Sequence, residues 1–98
     1  MFVSTDPAAM TAAASGLQVI GSTVASGNAA AAAPTMGVIP PAPEPTSALL
    51  AASFATHSGV YQAAAGVATA WHELMVAMLG TNSASYAATE AINAAASM

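Results

Sequence analysis

The side chains able to do chemistry are few: four carboxylates (Asp6, Glu44, Glu73, Glu90), two imidazoles (His57, His72), two phenols (Tyr61, Tyr86) and one indole, Trp71. There is no cysteine, lysine or arginine. The two histidines stand 15 residues apart with no second carboxylate near Glu73, so no metal-ligand spacing forms. His57 falls within an apolar stripe and reads as a packed or interface histidine. His72 and Glu73 are adjacent, and neighbours do not share a helical face, so no acid–base dyad is expected there. No Gly-x-Ser-x-Gly elbow and no glycine loop ending in lysine appears, and without cations an oxyanion would depend on backbone alone. Trp71, Phe54 and Tyr61 are read as packing anchors. An enzyme is therefore not expected, and no catalytic, cofactor-binding or metal residue is assigned. One pair remains. Tyr86 and Glu90, at i and i+4, point a phenol and a carboxylate the same way from an otherwise alanine helix.

The elements that would position these groups follow from composition. Of 98 residues, 56% are hydrophobic and 4% charged, with a net charge of -4. Most of the hydrophobic share is alanine, 29 residues, the best helix former because it loses no side-chain entropy on ordering. Nucleic-acid binding is excluded, since no Lys or Arg is present to neutralise phosphate. A basic membrane-surface helix fails for the same reason, as does a secretory signal peptide with its positive n-region. A membrane-spanning segment is not expected, because Ser, Thr, Gly, Asn or Gln interrupts every apolar run before about 18 residues.

Asp6-Pro7 opens a first helix, with Asp as N-cap and Pro at the first helical position. It is expected over about 7–33, since Pro34 should end it. Met10, Leu17, Ile20 and Val24 make a heptad-like stripe along it. A proline-rich connection spans 34–45, extended rather than helical. A second helix is expected over about 47–79, capped by Thr46 or Ser47 and closed by Gly80. Its stripe reads Leu50, Phe54, His57, Tyr61, Ala64, Ala68, Trp71, Met75 and Met78, with Leu49, Val60, Val67 and Leu74 on a neighbouring face. A short helical segment, 83–98, carries Tyr86 and Glu90.

The fold expected is all-α: an antiparallel two-helix hairpin that completes a four-helix bundle with a partner chain. A helix of about 33 residues is about 50 Å long, whereas a compact globule of this chain length is about 30 Å across. Two such helices bury one seam, and a doubled apolar face leaves surface over. Along both helices the one charged residue is Glu73. Leu17, Ile20, Val24, Leu50, Phe54, Tyr61, Trp71, Met75 and Met78 are expected to supply the internal and partner seams.

Over its whole length the chain resembles the mycobacterial PE family. The resemblance rests on Phe2-Val-Ser-Thr-Asp-Pro7, Asn28 with the alanine run to Pro34, Thr35-Met-Gly-Val-Ile-Pro-Pro41, Ser47-Ala-Leu, Phe54-Ala-Thr-His57, Tyr61-Gln62, His72-Glu73 and Ser85-Tyr-Ala-Ala-Thr-Glu90. The family is named for an N-terminal Pro-Glu, where this chain has Pro7-Ala8. The resemblance implies a heterodimer with a PPE-family protein, paired lengthwise, and export by a mycobacterial type VII secretion system. It implies that Tyr86 and Glu90 form that pathway's Tyr-x-x-x-Glu signal. It further implies a secretion chaperone acting indirectly, on the PPE partner. The protein would be cytoplasmic before export, and then secreted or held at the cell envelope or surface. The other reading weighed is a membrane-active or envelope component that contributes to a pore after export.

Overall fold

The computed structural model describes residues 3–98; Phe2, which opens the resemblance, lies outside the described residues. Two helices, α1 (Pro7–Met36) and α2 (Pro45–Ala96), form an antiparallel hairpin. α1 opens as its sequence dictates. Asp6 Oδ1 accepts the Ala9 N–H at 3.0 Å, and the Asp6 carbonyl takes the Met10 N–H at 3.2 Å. Such a cap satisfies donors that the first turn cannot pair internally.

Three boundaries differ from expectation. Pro34 sits inside the last turn of α1 rather than ending it. The missing N–H costs one bond, but Gly37 N–H to Ala33 O (3.0 Å) closes the turn beyond it. The cap of α2 is Glu44, not Thr46 or Ser47: Pro45 takes the first helical position and Glu44 O accepts the Ala48 N–H at 3.1 Å. Both helices thus begin with an acid followed by proline. Third, α2 runs unbroken through Gly80 to Ala96, so residues 83–96 are its last turns and not a separate piece. A glycine cap needs the left-handed backbone, and no described glycine adopts it. Leu79 is half-buried and Ser83 buried on either side of Gly80, where a helical glycine costs roughly 1 kcal/mol.

The hairpin divides into two packed units. One comprises Ser22–Ala70. Its seam is built from Ala25, Asn28 and Ala32 of α1 against Ser47, Ala51, Ala55, Ser58, Gln62, Ala65 and Thr69 of α2. The hydroxyls of Thr35 and Ser58 lie 2.6 Å apart, and Gln62 Nε2 donates to the Asn28 carbonyl at 2.9 Å. The other unit comprises the described residues up to Gly21 with Trp71–Met98. There Met10, Ala14, Leu17 and Gly21 meet His72, Val76, Leu79 and Ser83. His72 Nε2 lies 2.6 Å from the Leu17 carbonyl, which can only accept, so that nitrogen carries the proton. Thr11 Oγ1 and Ser83 Oγ lie 2.9 Å apart, and Ser83 also donates to Pro7 O at 2.6 Å.

These internal seams use mostly other residues than the nine expected for the internal and partner seams together. Of the nine residues assigned, Leu17 alone lies half-buried between the helices; the other eight are exposed. The reason is size. Phe54, His57, Tyr61, Ala64, Ala68, Trp71, Met75 and Met78 each precede a seam residue by one position (55, 58, 62, 65, 69, 72, 76, 79). Two stripes of the same period therefore run side by side, about 100° apart. The stripe of smaller side chains lets the backbones approach, so it wins the contact. Ala14 and Ala51 are the buried hydrophobic residues among those described.

Gly21 shows how close that approach is. A Cβ there would stand 2.6 Å from His72 Cδ2 and 2.7 Å from Nε2. Gly21→Ala should expel the imidazole, break its bond to Leu17 and cost about 1–3 kcal/mol. Around Gly80 an added Cβ meets nothing within 4 Å. Gly80→Ala should therefore stabilise α2 by about 1 kcal/mol. Thermal unfolding followed by circular dichroism should give shifts of opposite sign for the two variants.

Candidate functional site

In an antiparallel pair of right-handed helices, residues that precede the seam by one position fall on the same side of both. Val24 and Pro34 of α1 therefore share a side with Phe54, His57 and Tyr61 of α2 in the unit Ser22–Ala70. There Pro34, Val38, Phe54, His57 and Tyr61 line a groove of about 400 Å³, together with Ala31, Thr35, Ser58 and Gln62. The Tyr61 hydroxyl donates to Asn28 Oδ1 at 2.7 Å, which pins the aromatic ring across the groove. The groove has apolar walls and also carries hydroxyl, amide and imidazole groups. It is suited to an apolar or aromatic side chain from another molecule, not to a charged substrate.

In the other unit the same offset places Ile20 of α1 beside Trp71, Met75 and Met78 of α2. Trp71 is 70% exposed, the greatest exposure among the aromatic side chains described. Leu49, Val60, Val67 and Leu74 are exposed on the far side of α2 from its seam. Within each unit the large residues of the α2 stripe are thus exposed beside the internal seam rather than in it.

Tyr86 and Glu90 keep their i, i+4 placement on α2 but differ in their surroundings. Three positions beyond Ser83, Tyr86 lies on the flank of the Trp71 stripe and is about half exposed. Glu90 falls in line with the seam, where its Oε1 accepts both the Thr5 backbone N–H at 3.0 Å and the Thr5 hydroxyl at 3.2 Å. Nothing local in the sequence pointed to Thr5. Its partner is 85 positions away, and the register of the antiparallel pair is the signal that joins them.

His57 and His72 do not converge on one site. His57 faces the groove, while His72 is committed to Leu17 in the seam. Among the described residues, no three His, Asp or Glu side chains gather where a metal ion could be held. Contrary to the expectation from unbroken apolar runs, α1 is long and apolar enough to cross a membrane by length and average composition. The interrupting residues are small, so alanine and valine carry the average.

Comparison with known proteins identifies a family. The family model described as "PE family" matches residues 3–93. PE family protein PE13 of Mycobacterium tuberculosis is 53% identical over 95 residues, covering 97% of this chain and 96% of that protein. PE family protein PE8 of the same species is 42% identical, and the match covers 97% of this chain but 34% of that protein. The PE-PGRS family protein PE_PGRS33 is 46% identical, with 96% of this chain and 20% of that protein covered. The aligned length is thus nearly all of one relative and a minor part of the others. With the helical hairpin and the match along both helices in place, the chain belongs to the PE family.

Proposed function

We propose that the chain is a non-catalytic interaction subunit that pairs lengthwise with a PPE-family protein in a four-helix bundle. The pair leaves the cytoplasm through a type VII secretion system, guided by Tyr86 and Glu90, and acts as a secreted or envelope-held complex. A secretion chaperone engages the pair through the PPE subunit. One observation carries this reading: Phe54, Tyr61, Trp71, Met75 and Met78 face outward over a seam of smaller residues. Fully burying one such side chain is worth about 1.5–3 kcal/mol, and an unpaired run of them marks a protein interface. With no cation along either helix, the chain's own contribution to recognition is shape and apolar area.

Co-expression with PPE-family proteins followed by size-exclusion chromatography tests the pairing. Phe54→Glu should weaken the heterodimer by at least about 2 kcal/mol, a factor of about 30. Leu74→Glu, on the far side of α2, should change it little. Equal loss in both variants would remove the outward stripe as the interface. Export is tested in a mycobacterial host: Tyr86→Ala and Glu90→Ala should each abolish secretion while the heterodimer still forms. Wild-type secretion of both would end the assignment of the signal.

A second reading has its own support. Small and hydroxyl-bearing residues between helices, with large apolar ones outside, is also how helices pack in lipid, and α1 meets the length and composition for a span. A membrane-active or pore-contributing role after export predicts that the purified pair floats with liposomes while retaining its helicity. A pair that stays in the aqueous fraction excludes this role.

A further inference from the structure

Thr5 stands directly before Asp6, the cap of α1, and sends both its backbone N–H and its hydroxyl to one oxygen of Glu90. The first turn of α1 contains no acidic residue of its own. Asp6 already caps that turn, and Glu90 brings a second carboxylate, from the far end of the chain, beside the same helix N-terminus, whose dipole favours an anion. Bonds to an ionised acceptor are stronger than neutral ones. One rung further in, Ser83 is tied to Thr11 and Pro7. Tyr86 lies between these two rungs, so its backbone is held from both sides while its ring stays about half exposed. Without the outer rung, the turns after Ser83 are a stretch mostly of alanine with little tertiary support, and such an end frays.

We propose that Thr5 is the positioning residue of the Tyr86/Glu90 signal, which is readable when the two ends of the chain are zipped by the Thr5–Glu90 bonds. The proposal rests on the export reading above. Its physical content is pre-organisation. A receptor meets the phenol and the carboxylate at a fixed separation on an already ordered helix, and avoids the entropy cost of ordering that end. It also makes the N-terminal segment part of the signal, although 80 residues separate Thr5 from Tyr86–Glu90 in sequence.

Three substitutions in the full chain separate the terms. Thr5→Pro removes both donors, Thr5→Val removes the hydroxyl alone, and Thr5→Ser keeps both. Hydrogen exchange of residues 84–96 in the purified protein reads the clamp, and secretion from a mycobacterial host reads the signal. Thr5→Pro should speed exchange by at least about tenfold and cut secretion several-fold, with heterodimer formation unchanged. Thr5→Val should fall between Thr5→Pro and wild type, and Thr5→Ser should match wild type in both assays. Unchanged exchange in Thr5→Pro would overturn the clamp. Faster exchange with wild-type secretion would overturn the positioning role while leaving the export reading intact. Wild-type secretion of both Tyr86→Ala and Glu90→Ala would overturn the export reading, and the positioning role with it, whatever the exchange rates.

Discussion

Everything about these helices depends on how closely they approach. At Gly21 the His72 ring occupies the space of a missing side chain and bonds the Leu17 carbonyl beneath it. Contact that close leaves no room for a side chain at position 21 and admits a flat imidazole opposite it. Once Ala14 meets its neighbours across one seam and Ala51 across the other, the large side chains one position away are turned out to the flank. The apolar outer face is therefore a consequence of the tight inner one, and neither can be altered alone.

A seam of this kind supplies contact without much hydrophobic free energy. Alanine buries one methyl group, whereas a buried Leu or Phe is worth about 1.5–3 kcal/mol. What the seam supplies instead is register. Thr35 with Ser58, Asn28 with Gln62, Leu17 with His72, Thr11 with Ser83 and Thr5 with Glu90 are each satisfied in one alignment of the helices. Hydrogen bonds of this sort contribute about 1 kcal/mol net, but a slipped register leaves their groups unpaired at greater cost. The chain thus fixes its internal alignment with polar groups and leaves its large apolar side chains for another surface.

The helices and their connection were legible because their signals are local: alanine content, Asp6-Pro7, and five prolines between 34 and 45. The large residues of the expected stripe are exposed in each unit rather than buried between the helices. Which stripe turns inward was not legible from period, because positions 54, 57, 61 and 55, 58, 62 repeat alike. Only the size of the residues decides, and that becomes decisive once two backbones are brought together. Gly80 misled for a related reason. A glycine is permitted to cap a helix, but α2 continues through this one, with Leu79 half-buried and Ser83 buried on either side. The Thr5–Glu90 bond lay beyond local reasoning altogether, since it follows from the register of a completed hairpin.

The lack of lysine and arginine takes its meaning from where the carboxylates went. Asp6 caps α1, Glu44 caps α2 and bonds the Ser47 hydroxyl at 3.0 Å, and Glu90 receives Thr5. Three of the four acids thus stand at or beside helix N-terminal ends, where the backbone provides the positive pole that no side chain does. Glu73 is the exception: exposed, in the middle of α2, and following the seam residue His72, so it lies on the opposite flank from Trp71. A protein that satisfies its anions with amides and hydroxyls needs no cations to fold. Its apolar flank is then free of charge of either sign, and a partner covering that flank meets no unpaired ion to desolvate. The absence of cations is therefore compatible with a stable hairpin, and it also keeps burial of the outer face inexpensive.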